Sequence, residues 1–492
     1  MGDATHFETA PEDRIPFSKK LVYGLGAFVN NTLAAAIGGM MVVLNLGYGL
    51  SPALVGLLGA LPRFTDAITD PLMGYASDKT RSRWGRRRPY MFVGAILVGL
   101  VFAVLWQIPR DASDSYIFWW FLGGSLIFFL AYTIYATPWV ALGYELTPDY
   151  HERTRLMGVQ NFIGNIAYMV SPYFLAIMYL PLFGGGTEDP VSGSKYLALM
   201  IAAVAIGLGI LPAIFLRERF KDTGDKDGDG PGVGAIVMDF LKGFATTLKF
   251  KPFLKLCVAT FLVFNGFILI AAFQSYVIIF YVFQGDQAAG AVWVGHSGLL
   301  MSLCALLVIM FITWLATKIG KRQAFFVSTG ISAFGYVLKW FCYTPDNPYL
   351  ILIPAPFMAF GLAGLFTLMP SMVCDVVDMD ELNTNERREG MYGSIYWWVV
   401  KLGQSVALAG GGFLLVWTGF DIELGVNQTS EAITRMRIAD AFVPAAASLI
   451  AIWAVASYSI TEEKAHEVRR ELEERRGTGG DGDSTDGQPV PA

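Results

Sequence analysis

The chain contains 492 residues, of which 54% are hydrophobic and only 16% are charged, and its formal net charge is −5. Soluble globular proteins carry about 25% charged residues, so this composition favours a membrane protein, and its high hydrophobicity excludes a disordered chain. The small negative charge excludes a strongly basic nucleic-acid-binding protein, and no nucleic-acid partner is expected. The four cysteines are scattered through apolar stretches without a CxxC pair, so neither a disulfide framework nor a zinc site is predicted.

The apolar residues fall into twelve stretches, each long enough to cross a bilayer as a helix, which takes about 20 residues. The first 20 residues are polar and lack the apolar core of a cleavable signal peptide, so the first stretch is expected to be a permanent span. The sequence therefore predicts an all-α membrane protein with twelve transmembrane helices. The stretches lie near residues 21–46, 52–77, 89–107, 116–143, 157–181, 195–216, 253–283, 291–316, 323–342, 349–374, 390–417 and 437–460.

Basic residues cluster in alternate connections between these stretches. The connection DKTRSRWGRRRP at 78–89 holds six of the 36 lysines and arginines. Because basic connections stay in the cytoplasm, this end of the bundle and both termini are predicted to be cytoplasmic. The predicted organisation is a cytoplasmic segment at 1–20, a first six-helix bundle at 21–216, a cytoplasmic central loop at 217–252, a second six-helix bundle at 253–460, and a charged helix with a disordered tail at 461–492.

Two short patterns recur at similar offsets in the two bundles. Gly85 is followed by three arginines, and Gly320, 235 positions later, is followed by Lys-Arg. Pro138 and Pro370, 232 positions apart, each precede a cluster of charged residues. Two parallel six-helix repeats are the arrangement of the major facilitator fold. The sequence therefore predicts that fold, with two pseudo-symmetric six-helix halves and a solute site between them.

The second stretch, LPRFTDAITDPLMGY, carries charges where a bilayer disfavours them. A charge at mid-membrane costs at least about 2.5–3.5 kcal/mol on insertion scales. Asp66 and Asp70 are four residues apart and Arg63 precedes Asp66 by three, so all three share one helix face. Two carboxylates on one face can bind Na⁺ or accept a proton, which predicts a site for a coupling ion and no other cofactor. The alternative is a structural ion cluster, although one arginine cannot neutralise two acids.

Lys401 lies inside the eleventh stretch, with Trp397 one turn before it and Gln404 one turn after it. A lysine within a membrane needs a carboxylate or a bound anion, and one of the two aspartates of the second stretch is the expected partner across the halves. The predicted role is a link between the ion site and the solute site, and the alternative is a static ion pair. Lys339, in the ninth stretch, is expected to extend to the outer surface.

Uncharged hydrogen-bonding side chains line several stretches. Amides bond well to hydroxyls and aromatic faces stack on sugar rings, so this lining favours a neutral polyhydroxylated solute. For any single residue the alternative is an interhelical hydrogen bond. Together with the residues around Lys401, the predicted substrate-binding residues are Asn31, Tyr132, Trp139, Asn161, Asn165, Gln274, Trp397, Lys401 and Gln404.

Charged clusters also follow the second, fourth and tenth stretches, at their predicted cytoplasmic ends. We interpret them as gate salt bridges, which hold helix ends together in one state and release them in the other. Direct contact with the solute is not expected there. The predicted gate residues are Asp78, Arg86, Glu145, Arg153, Asp375, Asp378, Arg387 and Arg388.

The string DAITDPLMGYASDKTRSRWGRRRPY at 66–90 resembles the glycoside–pentoside–hexuronide:cation symporter family of the major facilitator superfamily. Further similar strings lie in both halves: YGLGAF at 23–28, YTIYATPW at 132–139, DVVDMDEL at 375–382 and WVVKLG at 398–403. The resemblance implies that Asp66 and Asp70 bind Na⁺, Li⁺ or H⁺ with help from Thr133. Thr69 takes the place of an asparagine that lies between these aspartates in melibiose permease, a member of the family, and Lys401 matches the family's eleventh-span lysine.

The sugar site of melibiose permease is not reproduced. Two aspartates and an arginine of that site are replaced here by Asn31, Ala136 and Asn161. This difference argues against a galactoside as the solute and leaves the ion site intact.

The sequence therefore predicts a secondary active transporter that couples Na⁺ or H⁺ to symport of a sugar, glycoside or sugar acid by alternating access. The alternatives are a symporter of a lysolipid or other amphiphile, and a transport-dead sensor of the same fold. No HExxH, GxSxG or Walker motif occurs, so an enzyme is not predicted. The expected partners are a small-molecule solute and the lipid bilayer, with the chain as a monomer, and the resemblance implies the cell inner membrane.

Overall fold

The computed structural model describes residues 11–80, 82–147, 150–183, 189–218, 247, 249–384, 389–458 and 460–475. These residues are almost entirely helical, and no β-strand occurs among them. The helices before the central loop are α1 (Phe17–Gly39), α2 (Val42–Leu46), α3 (Pro52–Ala60), α4 (Arg63–Lys79), α5 (Arg88–Leu105), α6 (Asp114–Glu145), α7 (Tyr150–Val170), α8 (Phe174–Met178) and α9 (Pro190–Phe215). Those after it are α10 (Lys251–Tyr276), α11 (Gln287–Ile319), α12 (Lys321–Cys342), α13 (Pro354–Thr384), α14 (Glu389–Trp417), α15 (Ser430–Ala456) and α16 (Glu462–Arg475).

The described residues form eleven helical segments that are long and apolar enough to cross a membrane. The twelfth span is the second in chain order, and it consists of α3 and α4 with a break at Leu61 and Pro62. Proline has no backbone N–H and interrupts the hydrogen bonds of a helix, while the Thr65 hydroxyl donates to the Pro62 carbonyl oxygen at 2.6 Å. Neither α3 nor α4 is by itself long and apolar enough to cross a membrane. The second span, which they form together, carries the predicted ion site.

Each half of the bundle has an apolar core of its own. Phe102, Trp106 and Phe128 are fully buried in the core of the first half, and Phe253 and Tyr392 are fully buried in that of the second. A third apolar cluster contains residues from both halves, so the halves are packed together as well as internally.

The two ends of the bundle differ in charge. We call the end where α1 and α5 begin and α6 ends the basic end, because Arg86, Arg87 and Arg88 lie there. The opposite end, with the connections 47–51, 106–113 and 418–429, is called the far end. At the basic end α16 packs through the buried Val468 and Leu472. The predicted central loop and tail lie mostly outside the described residues, so the proposed domain boundaries stay predictions.

The halves meet closely near the far end, where α3 crosses α14. A Cβ added to Gly56 would lie 2.6 Å from the Leu408 carbonyl oxygen, and one added to Gly412 would lie 2.2 Å from the Pro52 carbonyl oxygen. Only glycine allows backbones to approach this closely. This contact joins the two halves near the far end.

Candidate functional site

Asp70 lies at the centre of the candidate site, on α4 after the break at Pro62. The Thr133 hydroxyl, on α6, donates to Asp70 Oδ1 at 2.9 Å. Lys401 Nζ, on α14 of the other half, forms an ion pair with Asp70 Oδ2. One carboxylate is thus shared between the two halves, and the partnership of Lys401 with a second-span aspartate, expected from the sequence, is present.

Two hydroxyl oxygens lie beside this carboxylate. Thr69 Oγ1 is 3.5 Å from Thr133 Oγ1, and it also donates to the Thr65 carbonyl oxygen at 3.1 Å. A carboxylate with neighbouring hydroxyls is a set of hard oxygen ligands suited to a small cation. The sequence-predicted ion residues Thr69, Asp70 and Thr133 are therefore brought together by the fold.

The other charged residues of α4 complete this region. Asp66 lies one turn before Asp70 on the helix, but its side chain is outside the described residues. The Arg63 guanidinium lies 4.7 Å from the centroid of the Phe129 ring, a cation–π contact that compensates part of the cost of its charge. Asp70 and Lys401 keep exposed fractions of 37% and 36%, so the ion pair between the halves is accessible.

One face of α14 is directed at the first half. Leu408 makes the close contact with Gly56, and Gln404, Lys401 and Trp397 precede it at helical spacing, so they share its face. Gln404 is half-buried and Trp397 is 52% exposed. Trp397 also stacks on Phe366, with ring centroids 6.0 Å apart. These predicted substrate residues thus line the gap between the halves.

A face of α7 is also directed at the second half. Pro172, just after α7, packs close to Gly298 of the second half, and the Ser302 hydroxyl donates to the Tyr168 carbonyl oxygen at 3.1 Å. Asn165 and Asn161 lie one and two turns before Tyr168 on this face. Asn161 is exposed, and the Asn165 amide donates to its carbonyl oxygen at 2.8 Å.

Three other predicted substrate residues make interhelical hydrogen bonds in this conformation. Asn31 donates to the Gly164 carbonyl oxygen at 3.0 Å, and Gln274 donates to the Ser297 hydroxyl at 3.0 Å. The Tyr132 hydroxyl donates to Asn30 Oδ1 at 2.8 Å. The contacts of these three residues in this conformation are therefore those of the alternative given above, hydrogen bonds between packed helices.

Trp139 is packed inside the first half. It is 2% exposed, it stacks on Tyr23 with ring centroids 5.1 Å apart, and its Nε1 donates to the Tyr23 carbonyl oxygen at 3.3 Å. The indole ring fills the space between α1 and α6 in this conformation, and the solute contact of this residue stays a prediction.

Lys339 corrects a prediction, since it does not reach the outer surface. It is 1% exposed and forms a 2.5 Å ion pair with Asp440 of α15, which is 2% exposed. Arg437 lies nearby, 4.1 Å from the ring centroid of Tyr281. The signal for this pair was present in the sequence, because Lys339 and Asp440 are opposite charges inside two predicted spans of the same half.

Some predicted gate residues form salt bridges at the basic end. Arg86 and Arg87 both pair with Glu145, the latter at 3.0 Å. Asp375 pairs at 2.7 Å with Lys321, a partner that the sequence analysis did not assign. The described pairs each join helices within one half.

The other predicted gate residues are not tested. The side chains of Asp78 and Arg153, and the whole of Arg387 and Arg388, lie outside the described residues. The position of Asp378 on α13 does not test its role.

The sequence analysis missed a further basic-end salt bridge. Glu152, 1% exposed, pairs with Lys20 at 2.6 Å and accepts the Ile15 backbone N–H at 2.9 Å. Burial alone raises the pKa of the Glu152 carboxyl, but these bonds and the Lys20 charge together hold the pKa below its ordinary value. This ion pair ties the start of α1 to α7 and persists as the pH falls until it reaches that lowered pKa.

Residues 22–462 match the family described as MFS/sugar transport protein. The chain is 24% identical to the glucuronide carrier protein homolog of Escherichia coli, covering 92% of this chain and 95% of that protein. It is also 24% identical to the sodium-dependent lysophosphatidylcholine symporter 1 of Gallus gallus, covering 94% and 90%.

The fold is similar to that of a solved structure, a bacterial homolog of the human lysosomal transporter Spinster. The TM-score is 0.63 at 14% identity, with 93% of this chain and 97% of that chain covered. The predicted major facilitator fold and the family resemblance are thereby confirmed. The chain belongs to the MFS/sugar transport protein family, and it is a multi-pass membrane transporter and not an enzyme.

Proposed function

We propose that this protein is a cation-coupled symporter in which the coupling ion binds at Asp70 and the solute binds between the halves beside Lys401. The observation that carries the proposal is the half-exposed ion pair between Asp70 and Lys401, which joins the two halves. We further propose that the basic end faces the cytoplasm, since arginines and lysines are retained on that side.

Lys401 acts in this scheme as an internal competitor of the coupling ion. Na⁺ or H⁺ at Asp70 neutralises the carboxylate and releases the ammonium group of Lys401. The free ammonium then needs a new partner within the gap, because an unpaired charge in a membrane protein is unfavourable. A solute that supplies this partner binds more tightly when the ion is present, and by linkage the ion binds more tightly when the solute is present.

The proposed solute is a sugar, glycoside or sugar acid. Asn161, Gln404 and Trp397 offer amides for hydroxyl groups and an exposed ring for stacking on a sugar face. The free ammonium of Lys401 favours a carboxylate, so a sugar acid is the best candidate in this class. The similarity to a glucuronide carrier homolog supports this choice.

A lysolipid or other amphiphile is the second candidate. Trp397 and Phe366 form a stacked apolar surface in the same gap, which suits an acyl chain, and Lys401 would bind a phosphate as readily as a carboxylate. The similarity to a lysophosphatidylcholine symporter supports it.

Uptake into proteoliposomes tests the proposal. Labelled neutral glycoside, glucuronide and lysophosphatidylcholine are offered under an inward Na⁺ gradient or an inward H⁺ gradient. We expect accumulation of the glucuronide under one gradient, and that gradient identifies the ion. Asp70→Asn should abolish accumulation, whereas Asp346→Asn, an exposed far-end change, should not.

Accumulation of lysophosphatidylcholine alone would establish the second candidate. Equal accumulation by wild type and Asp70→Asn would contradict an ion site at Asp70. A folded protein that accumulates none of the three solutes under either gradient would contradict both candidates and favour a sensor.

A further inference from the structure

Three tyrosine hydroxyl groups join the two halves at the far end. Tyr276, on α10, donates to Asn45 Oδ1 at 2.9 Å. The Tyr173 hydroxyl is 2.7 Å from His296 Nδ1, and the Tyr179 hydroxyl donates to Gln287 Oε1. Each of these bonds has one partner in each half, unlike the described salt bridges of the basic end. They lie on the far-end side of the Asp70–Lys401 pair.

The Asn45–Tyr276 bond is buried. Asn45 is 0% exposed and Tyr276 is 6% exposed. The Asn45 amide also donates to the Leu50 carbonyl oxygen at 2.8 Å, which fixes the side chain within the turn between α2 and α3. A buried acceptor without a partner is costly, so Asn45 Oδ1 favours the state in which Tyr276 reaches it.

The Tyr173–His296 bond is more exposed but is held in place by rings. The His296 ring lies edge-on to Trp293 of its own half, with centroids 5.5 Å apart, and Trp293 in turn contacts Tyr349. From the other half, the Tyr173 ring passes so close to Gly295 that an added Cβ would lie 2.5 Å from it. These ring contacts hold the imidazole against Tyr173 in this conformation.

We propose that the Asn45–Tyr276 and Tyr173–His296 bonds, together with the Tyr179–Gln287 bond, form a far-end latch, which closes the far side of the solute pathway and opens when these bonds are broken. The latch goes beyond the proposed function, since it uses neither the ion site nor the solute residues. The Asn45–Tyr276 bond is buried and the Tyr173–His296 bond is exposed. Loss of a partner is therefore more costly for Asn45 than for His296.

Electron-spin distance measurements test the latch without any transport assay. Spin labels are placed at two exposed far-end positions, Asp111→Cys in the first half and Asp346→Cys in the second. The four native cysteines are replaced by alanine, and the full chain is studied in lipid nanodiscs without solute. The ratio of the long-distance to the short-distance population measures opening of the far end.

Tyr276→Phe should raise this ratio by about 5- to 150-fold, because it leaves a buried acceptor unsatisfied in the closed state only. Tyr173→Phe should raise it by about two- to tenfold. The matched control is Tyr349→Phe, which changes a tyrosine of the same aromatic group that contacts Trp293 of its own half. It should leave the ratio within about twofold.

An unchanged ratio in folded Tyr276→Phe and Tyr173→Phe, or an equal shift in Tyr349→Phe, would overturn the proposal. If Tyr276→Phe does not fold, Tyr173→Phe decides, because its bond is exposed and its loss does not threaten folding. Failure of the latch would leave the ion and solute proposals untouched, since neither is measured here.

Discussion

Among the described residues, two lysine–aspartate pairs lie within the membrane-spanning helices, and they differ in exposure and in the halves that they join. Lys339 and Asp440 are 1% and 2% exposed and belong to the same half. Lys401 and Asp70 are 36% and 37% exposed and belong to different halves. The two pairs therefore share their chemistry but not their surroundings or their relation to the moving parts of the protein.

The difference indicates which pair can take part in transport. A dry pair cannot exchange partners, because separating its charges costs several kcal/mol when no water replaces the lost partner. A half-exposed pair contributes at most about 1 kcal/mol, so an ion or a solute can displace either member. In addition, only a pair that spans the halves can sense their relative position. The Lys339–Asp440 pair thus stabilises one half, and the Asp70–Lys401 pair is suited to coupling.

The largest expected effect is on the buried pair. Lys339→Ala should lower the free energy of unfolding by about 3–5 kcal/mol, because it leaves the Asp440 carboxylate buried without a partner. Thermal unfolding in detergent measures this loss. Arg435→Ala is the matched control, since Arg435 lies on α15 near Asp440 but is exposed and pairs with Glu431, so it should change stability by about 1 kcal/mol or less.

The double variant Lys339→Met/Asp440→Leu sharpens the same test. Replacing both charges with apolar groups should recover most of the lost stability. If the double variant were as unstable as Lys339→Ala, the two charges would have a role beyond neutralising each other. The proposed difference between this structural pair and the Asp70–Lys401 pair would then be wrong.

The second effect concerns coupling. Allosteric coupling between two ligands typically changes affinity by about 5- to 150-fold, and we expect the coupling ion to increase solute affinity by a factor in this range. In Asp70→Asn the factor should fall to about one, and solute affinity without the ion should rise toward the value that wild type has with the ion, because no carboxylate at position 70 competes for Lys401. Solute binding measured by calorimetry with and without the ion gives both numbers. If the ion still increased solute affinity in Asp70→Asn, the coupling ion would bind at a site other than Asp70.

Much of this architecture was accessible from the sequence for a simple reason. Long apolar stretches have few alternatives in a membrane, so the twelve spans followed from the twelve apolar stretches of the sequence. The partnership of Lys401 with Asp70 was also predictable, because very few acidic residues within the spans could neutralise a lysine from the other half.

Other features depend on packing that a linear pattern does not contain. Trp139 has an aromatic ring of the kind that stacks on sugars, but this ring is buried against Tyr23. Lys339 lies near the end of its helix and was expected to reach water. The sequence contains its partner, a carboxylate 101 positions later in another span, but does not show that these two helices pack together. The interruption of the second span at Leu61 and Pro62 was not predicted either.

The third effect is smaller and concerns the hydroxyl oxygens beside Asp70. Thr133→Val removes the 2.9 Å hydrogen bond to Asp70 while keeping the shape of the side chain. One hydrogen bond contributes about 1 kcal/mol, so affinity for the coupling ion should fall about fivefold. Thr133→Ser retains the hydroxyl and should bind the ion as wild type does. Equal affinities in the two variants would show that the Thr133 oxygen is not a ligand.

The smallest effect is the most informative about Lys401. Lys401→Met should change the free energy of unfolding by about 1 kcal/mol or less, since the pair that it removes is half-exposed. It should raise affinity for the coupling ion by up to about fivefold, because the internal competitor for Asp70 is gone. At the same time it should weaken binding of an acidic solute, which loses its ammonium partner. Only a residue that is exchanged between ion and solute moves the two affinities in opposite directions, whereas a merely structural lysine would lower both with the folded fraction. Ion and solute titrations of folded Lys401→Met distinguish these cases. A fall in both affinities would show that Lys401 has a structural role, as Lys339 does.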